Sequence, residues 1–268
     1  MKEGETPWSL PDLTSALEWT RERNDQGIRC ILSPHGEYST TIGASQNALD
    51  ELVSCAKRIY EGRVNASLAV KLTTIGAMFD KQLCRDYLVV LFEDATENYV
   101  DLEIDMESMA FVEFTIDVMN SCLADFPLTL SLQAYLDRTR GDIYSAVQRG
   151  ALVRLVKGAY SGDISDFGDI QERFIELVEI LLLSREEFKI ATHDPDIIEW
   201  MKKATSNRKE KVEFSFLKGL ADATKLDLVQ NGWKVSEYIP YGPGGESYEE
   251  RRKSYLKTLT EMGRSPVP

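Results

Sequence analysis

The feature that most constrains the fold of this chain is a regular alternation of short strand-like runs with longer helical segments. The runs are rich in apolar and β-branched residues, and the segments between them carry apolar residues at helical spacing. Alternation of this kind is typical of βαβ units, which build a parallel sheet. The strand-like runs cover residues 28–33, 66–72, 99–105, 128–133, 152–157, 188–192, 212–217 and 234–239.

The number and length of these units indicate a closed barrel. Eight units in about 250 residues is the size of a TIM-type (β/α)8 barrel. A doubly wound sheet is the competing architecture, but it favours a Gly-rich phosphate loop, and the sequence has no GxGxxG motif. We therefore predict an α/β protein with one barrel domain over residues 28–268. An N-terminal helical extension over residues 1–27 precedes it, and Gly27 ends its helix. The predicted helices between strands include residues 48–60, 81–98, 109–123, 170–183, 196–204 and 221–231.

Composition excludes several classes of function. The chain has 268 residues and a formal net charge of -13, which argues against a nucleic-acid surface but not against a small anionic ligand held by local cations. Its four cysteines form no CxxC pair and no signal peptide is visible, so we expect reduced thiols in the cytoplasm. The longest apolar runs, such as residues 180–183, are too short to span a bilayer. Two histidines cannot make a multi-histidine zinc site, and no metal is expected.

The run from Leu152 to Tyr160, LVRLVKGAY, reads as a buried strand that ends in Gly-Ala. Arg154 and Lys157 are three residues apart, so they fall on opposite faces of a strand. A buried cation is costly unless it meets an anion, so these two residues either pair with carboxylates or hold an anionic ligand. In the second case Gly158 lets the backbone approach that ligand closely.

Polar side chains follow nearly every predicted strand, at the end where barrels carry their chemistry. Lys71, Arg251 and Arg252 converge there if the barrel is correct, and three cations suit a carboxylate. The alternative for the arginine pair is a solvated helix face that answers Glu249 and Glu250.

The other strand-end residues are also ambiguous when taken alone. Asp105 either balances Lys71, holds a proton, or is a structural ion-pair partner. Gln133 either binds a planar heterocycle or satisfies a neighbouring backbone group, and His193 is either a ligand contact or a structural residue. Three further residues are core or rim positions unless a ligand lies against them: Leu217, Tyr238 and Tyr248.

The ordered series VKLTTIG, DLEIDME, LQAYLDR, VRLVKGAY, ATHD, EFSFLKG, YIPYG and YEERR resembles the proline dehydrogenase family. The resemblance covers about residues 28–256, and VRLVKGAY with a downstream YxxRR is its most specific part. It implies a variant (β/α)8 barrel that binds FAD without a dinucleotide-binding fold. It also implies oxidation of L-proline to 1-pyrroline-5-carboxylate by hydride transfer to FAD, the first step of proline catabolism to glutamate.

The resemblance also assigns roles to residues. Asp105 and Arg154 are expected to be catalytic, with Arg154 at the isoalloxazine. The expected substrate-binding residues are Lys71, Ala159, Tyr160, Leu217, Tyr238, Tyr248, Arg251 and Arg252. The expected FAD-binding residues are Met106, Gln133, Lys157, Gly158, Ala159, Thr192 and His193.

Three positions depart from the usual pattern of that family. Ser161 stands where a large residue is common, Lys218 where tyrosine or histidine is usual, and Tyr255 where a glutamate is common. We expect these changes to lie at the rim of the site, and Lys218 to add a cation near the carboxylate clamp.

Two other functions remain open from the sequence. The chain could oxidise a related cyclic imino acid such as hydroxyproline, because one hydroxyl changes the selectivity of an apolar pocket only modestly. It could also be a barrel without flavin that serves as a binding subunit, although the retained site residues argue against this. The resemblance further implies an electron acceptor, either a membrane quinone or a partner protein, and a cytoplasmic location with peripheral contact to the inner membrane face.

Overall fold

The computed structural model describes residues 7–122, 126–184 and 186–261, and these residues form a (β/α)8 barrel. All neighbouring strands are parallel, in the order of the chain, and β1 closes the ring by pairing with β8. The strands are β1 (Arg29–Pro34), β2 (Ala66–Val70), β3 (Leu102–Ile104), β4 (Leu128–Gln133), β5 (Leu152–Val156), β6 (Phe188–Ala191), β7 (Val212–Leu217) and β8 (Lys234–Tyr241). The predicted fold class is confirmed.

The helices of the described residues surround this ring of strands. They are α1 (Leu13–Asp25), α2 (Ile42–Gly62), α3 (Lys81–Glu97), α4 (Met109–Cys122), α5 (Thr139–Gln148), α6 (Phe167–Ser184), α7 (Pro195–Ala204), α8 (Asp222–Gln230) and α9 (Glu246–Glu261). No helix within the described ranges is both long and apolar enough to cross a membrane.

Local chemistry explains where the predicted boundaries were wrong. The helix predicted from residue 48 begins at Ile42, because the Thr41 hydroxyl accepts a hydrogen bond from the Ala44 N–H and caps a weakly helical first turn. The strand predicted from residue 99 begins at Leu102, because Tyr99 has a φ of 56° and belongs to the turn after α3. The last residue of the helix predicted over 109–123, Leu123, lies outside the described residues.

Helix α1 lies against β1 and β8, on the outer side of the barrel. Its Trp19 indole N–H donates to Glu237 Oε1 at 2.6 Å, and Arg23 Nη2 lies 3.3 Å from Glu237 Oε2. Lys225 of α8 also pairs with Glu237, which is fully buried. The predicted N-terminal helix therefore packs on the barrel wall and is tied to it by charge.

Side chains alternate along each strand between two buried regions, the layer between strands and helices and the inside of the barrel. The apolar core lies between the strands and the helices and includes Leu68, Leu130 and Leu155. Side chains that point inside the barrel are instead largely polar. For example, Lys189 of β6 donates to Glu103 of β3 across the ring at 2.7 Å. The polar interior leads toward the C-terminal ends of the strands, where helix α9 and the loops after β1 and β5 meet.

Candidate active site

Asp105, directly after β3, is the centre of a cluster at the C-terminal mouth of the barrel. Its Oδ1 accepts a hydrogen bond from Arg154 Nη2, and its Oδ2 accepts one from the Tyr238 hydroxyl at 2.5 Å. Lys71 Nζ lies 3.9 Å from the same Oδ2 and donates to Ser33 Oγ at 3.1 Å. The structure thus brings Lys71, Asp105, Arg154 and Tyr238 together from β2, β3, β5 and β8.

Arg154 is the most enclosed member of this cluster, with a side chain only 4% exposed. Besides Asp105 it donates to Glu103 Oε2 at 2.8 Å and to Ser131 Oγ at 2.7 and 3.0 Å. Burial lowers the pKa of Arg154, but the charges of Glu103 and Asp105 outweigh burial and raise it above its usual value. The guanidinium is therefore a permanent positive charge with a fixed orientation.

Glu103 and Lys189, which were not predicted from the sequence, support Arg154 from inside the barrel. Burial raises the pKa of Glu103, but the cations Lys189 and Arg154 lower it to about 2 overall. The signal was a charged residue in the middle of each apolar strand, in DLEID and in FKIA. Such positions point into the barrel and need a partner there.

Gln133, at the end of β4, is buried beneath the loop after β3. Its amide nitrogen donates to the carbonyl oxygens of Met106 and Glu107 at 3.2 and 3.3 Å, so the alternative of a backbone partner is correct for that atom. Its carbonyl oxygen, Oε1, is buried and has no hydrogen-bond partner in the described structure. The Met106 side chain, beside the carbonyl that Gln133 contacts, is also buried.

Glu107 is a third residue of this region that was not predicted from the sequence. Its carboxylate accepts hydrogen bonds from the backbone N–H of Thr73 at 3.0 Å and from the Thr73 hydroxyl at 2.5 Å. It thereby holds the 3-10 turn Leu72–Ile75, which directly follows Lys71. Burial is the main reason why the pKa of Glu107 is raised to about 7, although Thr73 lowers it.

The loop after β5 is shaped by Tyr135. The Tyr135 ring lies against Gly158 and Gly162, and a Cβ built on Gly158 would come 1.7 Å from it. The Tyr135 hydroxyl accepts a hydrogen bond from the Tyr160 N–H at 3.1 Å. Gly158 also has a φ of 131°, so only glycine suits this position without strain.

Lys157 directly follows β5, so the predicted alternation with Arg154 along the strand does not extend to it. Its ammonium is 3.2 Å from Asp194 Oδ2 and lies over the ring of Phe167. Ala159 is exposed between Gly158 and the half-buried Tyr160.

Thr192 and His193 follow β6 and hold the neighbouring backbone. The Thr192 hydroxyl accepts from the Asp194 N–H at 3.1 Å, and His193 Nε2 accepts from the Leu217 N–H at 3.1 Å. Burial and the nearby Arg252 lower the pKa of His193 to about 3, so it is neutral at ordinary pH. The structural alternative for His193 is therefore correct for one of its ring nitrogens.

Helix α9 carries the arginine pair over the mouth. Arg251 forms an ion pair with Glu37, after β1, and its guanidinium lies 5.2 Å from the centre of the Tyr160 ring. Arg252 is only 8% exposed and lies near the rings of Tyr248 and Tyr255, so the alternative of a solvated helix face is wrong for it. Arg252 Nε and the Tyr248 hydroxyl are buried without a hydrogen-bond partner in the described ranges.

One departure from the family pattern needs correction. Lys218 does not add a cation near the clamp, because its ammonium donates to the Pro7 carbonyl at 3.1 Å and lies 4.4 Å from the centre of the Trp19 ring. That position faces α1, outside the barrel. Ser161 is exposed on the loop after β5, and Tyr255 packs beside Arg252.

Comparison with known sequences identifies the family. The family model described as proline dehydrogenase matches residues 16–163. Proline dehydrogenase 2 of Bacillus subtilis (strain 168) is 27% identical over 249 residues, with 90% of this chain and 82% of the relative covered. Proline dehydrogenase 1 of the same strain is 29% identical over 248 residues with the same coverage, and the proline dehydrogenase of Deinococcus radiodurans is 25% identical over 253 residues.

Comparison with solved structures supports the fold. Proline utilization A (PutA) from Bdellovibrio bacteriovorus, inactivated by N-propargylglycine, superimposes with a TM-score of 0.83 at 19% identity. The match covers 92% of this chain but only 32% of that longer protein. PutA from Corynebacterium freiburgense gives a TM-score of 0.79 at 18% identity, with 94% of this chain and 30% of that protein covered. The family model covers more than half of this chain and the solved structures share its barrel, so the chain belongs to the proline dehydrogenase family of oxidoreductases.

Proposed function

We propose that this protein oxidises L-proline to 1-pyrroline-5-carboxylate with FAD as its redox cofactor. Membership of the proline dehydrogenase family supports the substrate. The observation that carries the proposal is the cluster of Lys71, Asp105, Arg154 and Tyr238 at one mouth, joined by ion pairs and hydrogen bonds. A cationic mouth of this kind suits a small carboxylate beside a group that gains electron density.

The residues around the mouth fit a planar polar cofactor. Gln133 Oε1 is a buried acceptor without a hydrogen-bond partner among the described residues, so it can accept a hydrogen bond from such a ligand. Gly158 lies against the Tyr135 ring, which fixes the loop that carries three of the assigned contacts. We assign FAD contacts to Met106, Gln133, Lys157, Gly158, Ala159, Thr192 and His193, and when bound FAD would accept the hydride from the ring carbon next to the proline nitrogen.

The substrate carboxylate is assigned to Lys71, Arg251 and Arg252. A guanidinium offers a forked pair of donors, which fixes the orientation of a carboxylate. Ala159, Tyr160, Leu217, Tyr238 and Tyr248 are assigned to the wall around the ring. Tyr238 has a second task, because its hydroxyl donates to Asp105 and thus fixes the anion next to Arg154.

Arg154 supplies the electrostatic part of the reaction. A fixed positive charge favours the form of the redox group that carries additional electron density, so it lowers the barrier to oxidation of the substrate. The carboxylate clamp holds the reacting carbon at the distance and angle that transfer requires. Proline must lose its amine proton before it reacts, so we expect the rate to rise with pH.

The visible spectrum of purified protein tests this proposal. Oxidised-flavin bands that bleach when L-proline is added, and a product that reacts as a cyclic imine, are expected. A panel that includes hydroxyproline separates proline from related imino acids by kcat/KM. A protein that neither contains nor takes up FAD would contradict the proposal and favour a binding subunit.

The electrons must then leave through an acceptor outside this chain. We propose a membrane quinone or a partner protein as this acceptor, and a cytoplasmic location with peripheral contact to the inner membrane face. Reoxidation of proline-reduced protein by a soluble quinone, measured in the absence of oxygen, tests the first alternative.

A further inference from the structure

The inside of the barrel contains a set of charged residues in place of the apolar layers that commonly fill such barrels. We name Glu103, Arg154, Lys189 and Glu213 the interior ion column. Lys189 Nζ lies 2.7 Å from Glu103 Oε1 and 3.5 Å from Glu213 Oε1. Glu103 Oε2 in turn accepts from Arg154 Nη1 at 2.8 Å. Lys189 is 2% exposed and Glu103 is fully buried, so water screens these charges little.

The neighbours of Arg154 in this column determine how much of its positive charge acts at the mouth of the barrel. Arg154 contacts two carboxylates, Glu103 and Asp105, and Asp105 also lies 3.9 Å from the Lys71 ammonium. Lys189 binds the Glu103 oxygen that Arg154 does not use, at 2.7 Å, and Arg29 Nη1 lies 3.8 Å from the same oxygen. Lys189 is thus the nearer of two cations that offset the Glu103 charge, although Glu213 takes up part of the Lys189 charge, and Arg154 stays positive toward the mouth.

We propose that Lys189 and Glu103 form a positioning pair that sets the redox potential of the flavin through Arg154. The inference rests on the proposed function, because it requires FAD beside Arg154. Stability alone gives little reason for this pair, since buried ion pairs are often no more stabilising than apolar residues of similar volume. A role in the field at the mouth explains why two charges occupy the middle of apolar strands.

Two single variants should move the flavin midpoint potential in opposite directions, and the double variant should restore it. A general structural disturbance would not give this pattern. Lys189→Met removes the nearer cation from Glu103, which then cancels more of the Arg154 charge, so we expect a lower flavin midpoint potential and a rate of reduction by proline that falls about tenfold, the scale of one unit charge inside a protein. Glu103→Gln removes the anion, so we expect a higher potential. The double variant Lys189→Met/Glu103→Gln restores the net charge and should return the potential toward that of the unchanged protein.

The measurement is the flavin midpoint potential by spectroscopic titration at pH 8, above the ordinary pKa of a glutamate. Arg23→Met is the matched control, because it removes a buried cation from Glu237 on the outer side of β8. It should lower the thermal midpoint without moving the potential. If a single variant does not fold, Glu213→Gln removes the second anion beside Lys189 and should raise the potential by a smaller amount.

The outcomes separate the two proposals. Unchanged protein that does not take up FAD would contradict the proposed function itself. Protein that binds FAD and is reduced by proline, but whose potential is unmoved or moves in the same direction in Lys189→Met and Glu103→Gln, would overturn the role of the pair and leave the proposed function intact.

Discussion

At the scale of single residues, the Asp105 carboxylate shows how the mouth is made rigid. One oxygen accepts from the Arg154 guanidinium, and the other accepts from the Tyr238 phenol and lies near the Lys71 ammonium. Because both oxygens have a donor from a different strand, the carboxylate cannot rotate without breaking several contacts. Its orientation is therefore set by the barrel and does not depend on a ligand.

Replacement of Arg252 by Met tests the substrate clamp. The buried Arg252 guanidinium has a donor without a partner, which a substrate carboxylate can use. Hydrogen bonds to charged groups contribute about 1.5–3 kcal/mol, so we expect KM for proline to rise about 10-fold to 100-fold, with a smaller change in kcat. Steady-state kinetics and the affinity of a carboxylate analogue measure this, and unchanged values of both would remove Arg252 from the clamp.

Replacement of Arg154 by Met tests the electrostatic role of that residue. The variant keeps the approximate volume of the side chain but removes the charge that is proposed to act on the flavin. We expect flavin reduction by proline to slow about 100-fold to 1000-fold, the effect of losing one group that stabilises developing charge. Stopped-flow absorbance measures the rate and circular dichroism checks the fold. A normal rate in a folded variant would exclude the role.

The raised pKa of Glu107 predicts a pH dependence of stability. A carboxyl whose pKa is about 7 in the folded protein, against an ordinary 4.5, disfavours the folded state as pH rises from 4.5 through 7. Glu107→Gln removes this penalty and can keep a hydrogen bond from the Thr73 N–H. We therefore expect the variant to gain about 2–3 kcal/mol of unfolding free energy relative to the unchanged protein between pH 5 and pH 8. Urea unfolding at both pH values measures the gain, and a difference that does not change with pH would contradict it.

At the scale of elements, the loop between β5 and α6 is built on the Tyr135 ring. Two glycines lie against the ring, and the ring hydroxyl accepts the Tyr160 N–H. The Tyr135 carbonyl also accepts from the N–H groups of Asp163 and Ile164, at 3.1 and 3.2 Å. One side chain just after β4 thus sets the path of the loop that is proposed to contact both cofactor and substrate.

Replacement of Gly162 by Ala tests this packing. The added Cβ would lie 2.1 Å from Tyr135 Cδ2, so the ring or the loop must move. Overpacking of this kind costs about 1–3 kcal/mol, and we expect KM for proline to rise as Tyr160 moves. Urea unfolding and steady-state kinetics measure the two effects.

Gly141→Ala is the matched control for that variant. Gly141 lies in the first turn of α5, and nothing is within 4 Å of a Cβ built there. We expect stability to be unchanged or higher by up to about 1 kcal/mol, because alanine favours a helix. Equal behaviour of the two variants would show that the Tyr135 contact does not matter.

The strands were more predictable than the contacts among their side chains. Apolar runs with regular spacing identified all eight strands, because burial on both faces leaves a strong local pattern. The start of α2 was missed because its cap is a single hydrogen bond from the Ala44 N–H to the Thr41 hydroxyl. Glu103 and Lys189 were missed because they are 86 positions apart, and no local pattern shows that they meet. The direction of Lys218 toward Trp19 likewise depends on how α1 packs.

At the scale of the whole molecule, the first helix, α1, and the last helix, α9, contact different parts of the barrel. Helix α1 packs on the outer side of β1 and β8, whereas α9 places Arg251 between the loop after β1 and the loop after β5. The first helix therefore supports the wall and the last helix supplies the mouth. The boundary between an extension over residues 1–27 and a barrel over residues 28–268 stays a prediction.

Deletion of residues 1–27 tests the supporting role of the extension. The shortened chain lacks Trp19 and Arg23, so the fully buried Glu237 keeps only Lys225 as an ion-pair partner among the described residues. It also lacks the buried Leu13 and Leu17, and burial of such a side chain contributes roughly 1.5–3 kcal/mol, so we expect the thermal midpoint to fall by about 10 °C or more. Differential scanning calorimetry measures it, and an unchanged midpoint would show that the extension is dispensable.

The interior ion column also limits how this barrel can diverge during evolution. A mutation at position 103, 154 or 189 alone leaves an unmatched buried charge, which selection tends to remove. Lineages that change these positions should therefore exchange them together, and an alignment of orthologues would show covariation among three sites that lie far apart in sequence.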